Sequence, residues 1–106
     1  MNITKYTAFL KNKLEIDMDT GLTAEEIQLL EFLTTFADNG MPLSVSGAMQ
    51  LERFASPATI HRRLDHLVSM GFLLHAVGSK DARTKFLMPT TKAYKYFQKL
   101  DKLIGG

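Results

Sequence analysis

Arg62 and Arg63 stand together in a stretch that also carries Ser56, Ala58, Thr59 and His61, and further along Lys80, Arg83 and Lys85 gather around one acid, Asp81. These residue types can recognise a polyanion. A guanidinium fork matches the O6 and N7 acceptors of guanine, a contact worth about 1–3 kcal/mol of base discrimination. A threonine hydroxyl can bond a phosphate or meet a thymine methyl, and small side chains such as Ala58 let a backbone approach a groove floor. Long cations in a turn can reach phosphates or enter a narrow minor groove. Asp81, repelled by phosphate, is better used to hold the turn by accepting backbone N–H bonds or pairing with Arg83 or Lys85.

No catalytic or metal chemistry competes with this reading. There is no cysteine, which excludes disulfides, thiolate-ligated zinc and a thiol nucleophile. His61, His66 and His75 lack zinc-ligand spacing, and there is no HExxH, phosphate loop or nucleophile motif. His61 and Asp65 lie one helical turn apart, but an exposed histidine with such a neighbour is commonplace. Glu25-Glu26 reads as helix capping, and the methionines as core filler. The chain is expected to be a non-enzyme without cofactor.

The elements that must position these residues are legible from spacing. Residues 2–14 place Ile3, Tyr6, Phe9, Leu10 and Leu14 on a helical stripe, and the acidic residues 15–21 read as a loop. Thr23 with Glu26 forms a capping box opening a helix with Ile27, Leu29, Leu30, Leu33 and Phe36 inward, stopped by Asn39-Gly40. After the extended Met41-Pro42-Leu43, Ser44 or Ser46 caps a short helix ending near Phe54. Ser56 caps the next helix, over residues 56–70, with Pro57 at its first position and Gly71 at its end. Residues 72–77 and 84–88 read as strands around a turn, with a wing over about 78–85, and Thr90 or Thr91 caps a last helix reaching residue 104.

Two short helices joined by a tight turn, the second capped and basic, form a helix-turn-helix pattern, and the hairpin after it makes a winged one. The expected fold is mainly α with a small β-hairpin (α+β), in a single domain over residues 1–106. Opposite the Ile60, Leu64 and Leu67 stripe lie Ala58, Arg62 and Ser69, with Thr59, His61, Asp65 and His66 on the flanks. Arg62 is the expected base reader and Arg63 the expected phosphate contact. Charge supports the assignment. Residues 14–52 hold eight acids and no Lys or Arg, whereas residues 53–106 hold ten bases against three acids. The net +2 conceals one face able to attract a polyanion.

Leu22-Thr23, Ser56…Thr59-Ile60-x-Arg62…Leu67…Gly71-Phe72-Leu73 and Asp81-x-Arg83 followed by Thr90 resemble the winged-helix domain of MarR-type transcriptional regulators, from about residue 22 to 93. The chain departs from that pattern at Pro89, where leucine is favoured, and at Ala93, where glycine is. The resemblance implies that Arg83 is the wing arginine for the minor groove and Asp81 its support. It also implies that Ser56, Thr59, His61 and Arg62 face the major groove.

The reading that follows is sequence-specific double-stranded DNA binding by a repressor-like transcriptional regulator. Operator reading by this motif usually uses two-fold dimers. The terminal helices, residues 2–14 and 91–104, are therefore candidate dimerisation elements through Tyr6, Phe9, Leu10, Phe97, Leu100 and Ile104. An effector ligand is left open. No apolar run reaches membrane-spanning length, so the expected location is the cytoplasm. Two alternatives stand beside this: a winged-helix protein-interaction module that binds no nucleic acid, and a plasmid or phage replication or partition factor.

Overall fold

The computed structural model describes residues 1–78 and 83–105. In chain order the elements are helices α1 (Thr4–Met18), α2 (Ala24–Asp38), α3 (Val45–Ala48) and α4 (Pro57–Ser69), strands β1 (Leu73–Val77) and β2 (Lys85–Pro89), and helix α5 (Thr91–Gly105). The mainly helical fold with one hairpin is the expected winged helix-turn-helix.

Local chemistry sets most boundaries. Thr23 and Glu26 close a reciprocal capping box at the start of α2, with Thr23 Oγ1 accepting the Glu26 N–H at 3.1 Å and Glu26 Oε1 accepting the Thr23 N–H at 2.8 Å. Ser44 caps α3 and Ser56 caps α4. The end of α4 is a Schellman turn. Gly71, at φ +82°, donates to the Val68 carbonyl, and the Phe72 N–H reaches back to Leu67, both near 3 Å. A Cβ at Gly71 would be strained by that positive φ.

Two helix boundaries differ most from the expectation. The acidic residues 15–18 continue α1 rather than forming a loop. Carboxylates near a helix C-terminus oppose the helix dipole, but Lys13 Nζ lies 2.6 Å from Asp17 Oδ2 one turn away, and the Tyr96 hydroxyl on α5 donates to Asp17. Half-buried Ile16 packs on the core. The second difference is α3, which ends at Ala48, short of Phe54. Gly47 weakens it, and Leu51, Phe54 and Ala55 reach the core from turns rather than from a continued helix. The link to α4 is therefore longer than a tight turn.

The hairpin is antiparallel, with Leu73 opposite Pro89, His75 opposite Leu87 and Val77 opposite Lys85. Pro89 closes the strand instead of bounding it, tolerated at an end where its missing donor costs little. Ser44 bridges to Phe86, and the Leu87 N–H donates to the Leu43 carbonyl at 2.8 Å, which ties the chain before α3 to the wing.

Leu29, Leu30, Leu33, Ile60, Leu67, Leu73 and Leu87 are fully buried, so α2, α4 and the base of the hairpin share one core. Helix α1 buries none of its residues fully. The molecule is elongated, 50 × 26 × 25 Å, with a radius of gyration of 15.1 Å, against about 13 Å for a compact domain of this length.

Candidate nucleic-acid interface

The start of α4 carries a short polar relay. The Ser56 hydroxyl donates to Thr59 Oγ1 at 3.1 Å, and Arg62 Nη2 donates to the same oxygen at 3.2 Å. Ser56, Ala58 and Arg62 are exposed and Thr59 is half-buried. The relay lays the guanidinium along the open face of the helix. The Ser56–Thr59 bond is neutral and the Arg62 bond has a charged donor, but Arg62 is exposed, so its bond can be exchanged for one to a base or a phosphate.

Arg63 behaves differently. It is half-buried, with Nη1 3.5 Å from the Phe54 carbonyl. It shares a hollow of about 260 Å³ with Thr23, Glu25, Glu26, Thr59 and Arg62. A phosphate approaching Arg63 there meets Glu25, so Arg62 is the better placed of the two arginines.

On the flank facing α2, His66 Nδ1 bonds Glu26. Burial pushes the Glu26 carboxyl up, but the Thr23 N–H, the His66 bond and charge, and the Thr23 hydroxyl together hold it below its ordinary value. This contact joins the cap of α2 to the last turn of α4 and holds the helix against α2. Behind it, Lys92 Nζ donates to the Met70 carbonyl at 2.7 Å and lies 4.6 Å from the Phe72 ring centre, stabilising the C-terminus of α4.

The flank facing the wing holds His61, whose Nδ1 is 3.2 Å from Asp65 Oδ2, both exposed. Between this flank and the hairpin runs a cleft of about 550 Å³, lined by His61, Leu64 and Asp65 of α4, by His75, Arg83, Thr84 and Lys85 of the hairpin, and by Ser44, Val45, Ser46 and Met49. Arg83 and Lys85 are exposed. Lys80 and Asp81 lie outside the described residues, so their expected roles have no structural account. Among the described residues, no three His, Asp or Glu side chains converge as a metal site.

Solved structures share this fold. The DNA complex of MepR from S. aureus is 19% identical, with a TM-score of 0.68 over 94% of this chain and 76% of that one. The transcriptional regulator Tm0710 from Thermotoga maritima is 19% identical, with a TM-score of 0.70 over 91% and 64%. A mutant MarR from E. coli is 17% identical, with a TM-score of 0.63 over 95% and 71%. The fold is that of the MarR-type regulators. The chain spans 64% to 76% of the length of these three proteins. No protein-family model matches the sequence, and no curated protein matches it either.

Within that winged-helix fold, Ser56, Ala58, Thr59, His61 and Arg62 share the open side of α4, and Arg83 and Lys85 stand across the cleft from it. Glu26–His66 and His75 were missed by sequence reasoning. Glu26 was legible as a cap, but its second partner lies 40 residues away, beyond any local spacing rule.

The terminal helices correct one expectation. Leu100 is 8% exposed and belongs to the chain's own core, so it is not free for a seam, whereas Tyr6 at 61% and Ile104 at 74% are open. Phe9, Leu10 and Phe97 are half-buried. On the same helices burial, and next the Asp17 hydrogen bond, push the Tyr96 hydroxyl up, so it stays a neutral donor. No helix among the described residues is long and apolar enough to cross a membrane.

Proposed function

We propose that this single domain is a sequence-specific double-stranded DNA-binding transcriptional regulator, repressor-like, with α4 in the major groove and the hairpin on the minor groove or backbone. One observation carries the reading. An exposed arginine, oriented by the Ser56–Thr59 relay, projects from a rigidly docked helix beside a cationic wing, in a fold whose MepR example was solved with DNA. Arg62 is the base reader; Ser56, Ala58, Thr59 and His61 line its approach; Arg83 and Lys85 contact the backbone or minor groove. Among the described residues no arrangement suited to catalysis stands out, and we read the chain as a non-enzyme acting in the cytoplasm.

The active species is a homodimer through α1 and α5. The elongated shape and the exposed Ile3, Tyr6, Leu14, Met18 and Ile104 support this, since a monomer gains nothing by holding these side chains in water. A two-fold dimer would read half-sites about 34 Å apart.

Selection of bound duplexes from a random library, with the mass of the complex measured alongside, tests the reading. A palindromic site bound by two chains is expected, with log K falling against log salt by about 0.9 for each phosphate neutralised. Lys85→Ala should weaken all duplexes alike and reduce that slope by about one. A folded protein that binds no duplex at low salt would instead favour the protein-interaction module.

A further inference from the structure

Nothing in the DNA-binding reading uses His75, although its position is unusual for a strand residue. It lies on β1 opposite Leu87, which is fully buried, yet His75 itself is exposed and lines the cleft between α4 and the wing. The ring points along the same strand face as Leu73 and Val77, towards α4. Among the described residues its side chain has no hydrogen-bond or ion-pair partner. Hydrophobic Leu64, 3% exposed, lines the same cleft. Arg83 and Lys85 line it as well.

We propose that this cleft is a seat for one backbone phosphate of the bound strand, and that His75, when protonated, is the group that closes on it. The proposal rests on the DNA-binding reading above. A strand leaving the major groove at α4 for the minor groove at the wing must cross between them, and the cleft is the gap it crosses. Its charge depends on protonation. Among the described lining residues, Arg83, Lys85 and Asp65 sum to one positive charge with neutral histidines, and protonation of His61 and His75 adds two.

Among the described residues, the titratable and charged groups lining the cleft with His75 are His61 and Asp65 from α4 and Arg83 and Lys85 from the hairpin. The segment around α3 contributes only Ser44, Val45, Ser46 and Met49. Asp65 would repel a phosphate, and His61, 3.2 Å from it, offsets that charge only when protonated. Among the described residues, His75 has no such ion-pair neighbour. Imidazole is the side chain whose ordinary titration falls between pH 5 and 8. The seat should therefore strengthen as pH falls through that window.

The test uses the full chain and two labelled probes: the duplex recovered from the random-library selection and an unselected duplex. Anisotropy titrations at about pH 6 and about pH 8, each over a salt series, give affinity and salt slope. Wild type is expected to bind the selected duplex about fivefold more tightly at the lower pH, in the range of one exposed ion pair per subunit, with a slope steeper by nearly one phosphate per subunit.

His75→Gln should lose most of both differences. His75→Lys, charged at both values, should bind at about pH 8 as tightly as wild type does at about pH 6. Circular dichroism of each variant confirms that it is folded. Binding by wild type that ignores pH, or a His75→Gln variant with the wild-type pH response, overturns the phosphate seat and leaves DNA binding standing. Absence of binding to either probe at every pH and low salt overturns the DNA-binding reading itself.

Discussion

His66 and His61 sit on one helix, each beside a carboxylate, yet they do opposite things. His66 meets Glu26, a buried residue from another helix that also caps α2. His61 meets Asp65, an exposed residue of its own helix one turn on. The first pair connects elements distant in sequence and removes a carboxylate from water; the second joins neighbours that remain solvated. A pair of the first kind fixes where α4 lies. A pair of the second kind contributes at most a few tenths of a kcal/mol to the helix, leaving its atoms available to a ligand. One flank of α4 therefore holds the scaffold and the other meets the cleft.

The largest effect that would break this contrast is at Glu26. Glu26→Ala removes the reciprocal cap and leaves His66 without its partner. A cap is worth about 1 kcal/mol and a partly buried charged hydrogen bond about 1.5–3 kcal/mol, so urea denaturation should show a loss of about 2–4 kcal/mol. Acid should act on the same group. The folded-state carboxyl lies below its ordinary value, so its contribution is complete above the unfolded value of about 4.3 and is lost as pH falls through the folded one. Glu26→Gln should flatten the stability curve over that acid window. A curve that falls as steeply in the variant as in wild type would show that another carboxylate governs acid unfolding.

A smaller effect, on binding rather than folding, is expected at Arg62. Its guanidinium is exposed and held by a single hydroxyl, so Arg62→Ala should leave stability within about 0.5 kcal/mol. Affinity for the selected duplex should drop by about 1–3 kcal/mol while unselected DNA changes little. Equal losses on both duplexes would make Arg62 a phosphate contact and move base reading elsewhere on α4.

The two flanks also differ in how far the sequence could disclose them. Thr23, Glu26, Ser56, Pro57 and Gly71 act within a few residues of themselves, and the elements they bound formed where capping chemistry places them. The apolar stripe of α4 was legible for the same reason, and with it Arg62 on the opposite side. Contacts across the chain were not. His66 and His75 look alike as isolated polar residues on a helix and a strand, and only the packing of α2 against α4 and of the hairpin beside it separates a scaffold bond from a cleft wall. Residues 15–18 misled because their acidity suggests a loop, while the tie from Asp17 to Tyr96 spans most of the chain. Leu100 fitted a seam by its spacing, and burial in its own core removed it.

Asp65 gives the smallest and sharpest test of the comparison. If the His61–Asp65 pair is only a solvated neighbour contact, Asp65→Asn should change stability by no more than about 0.5 kcal/mol, far less than the same carboxylate-to-amide change at Glu26. The reading surface should feel it in the opposite sense. Removing a negative charge from the wall of a cleft that faces phosphate takes away repulsion, and duplex affinity should rise about two- to threefold, an effect that fades as salt screens it. Paired urea and anisotropy measurements on Asp65→Asn and Glu26→Gln place both carboxylates on the same two axes. Should Asp65→Asn destabilise the protein as much as Glu26→Gln does, or weaken DNA binding, His61 would be a fixed part of the scaffold and the two flanks of α4 would no longer differ in kind.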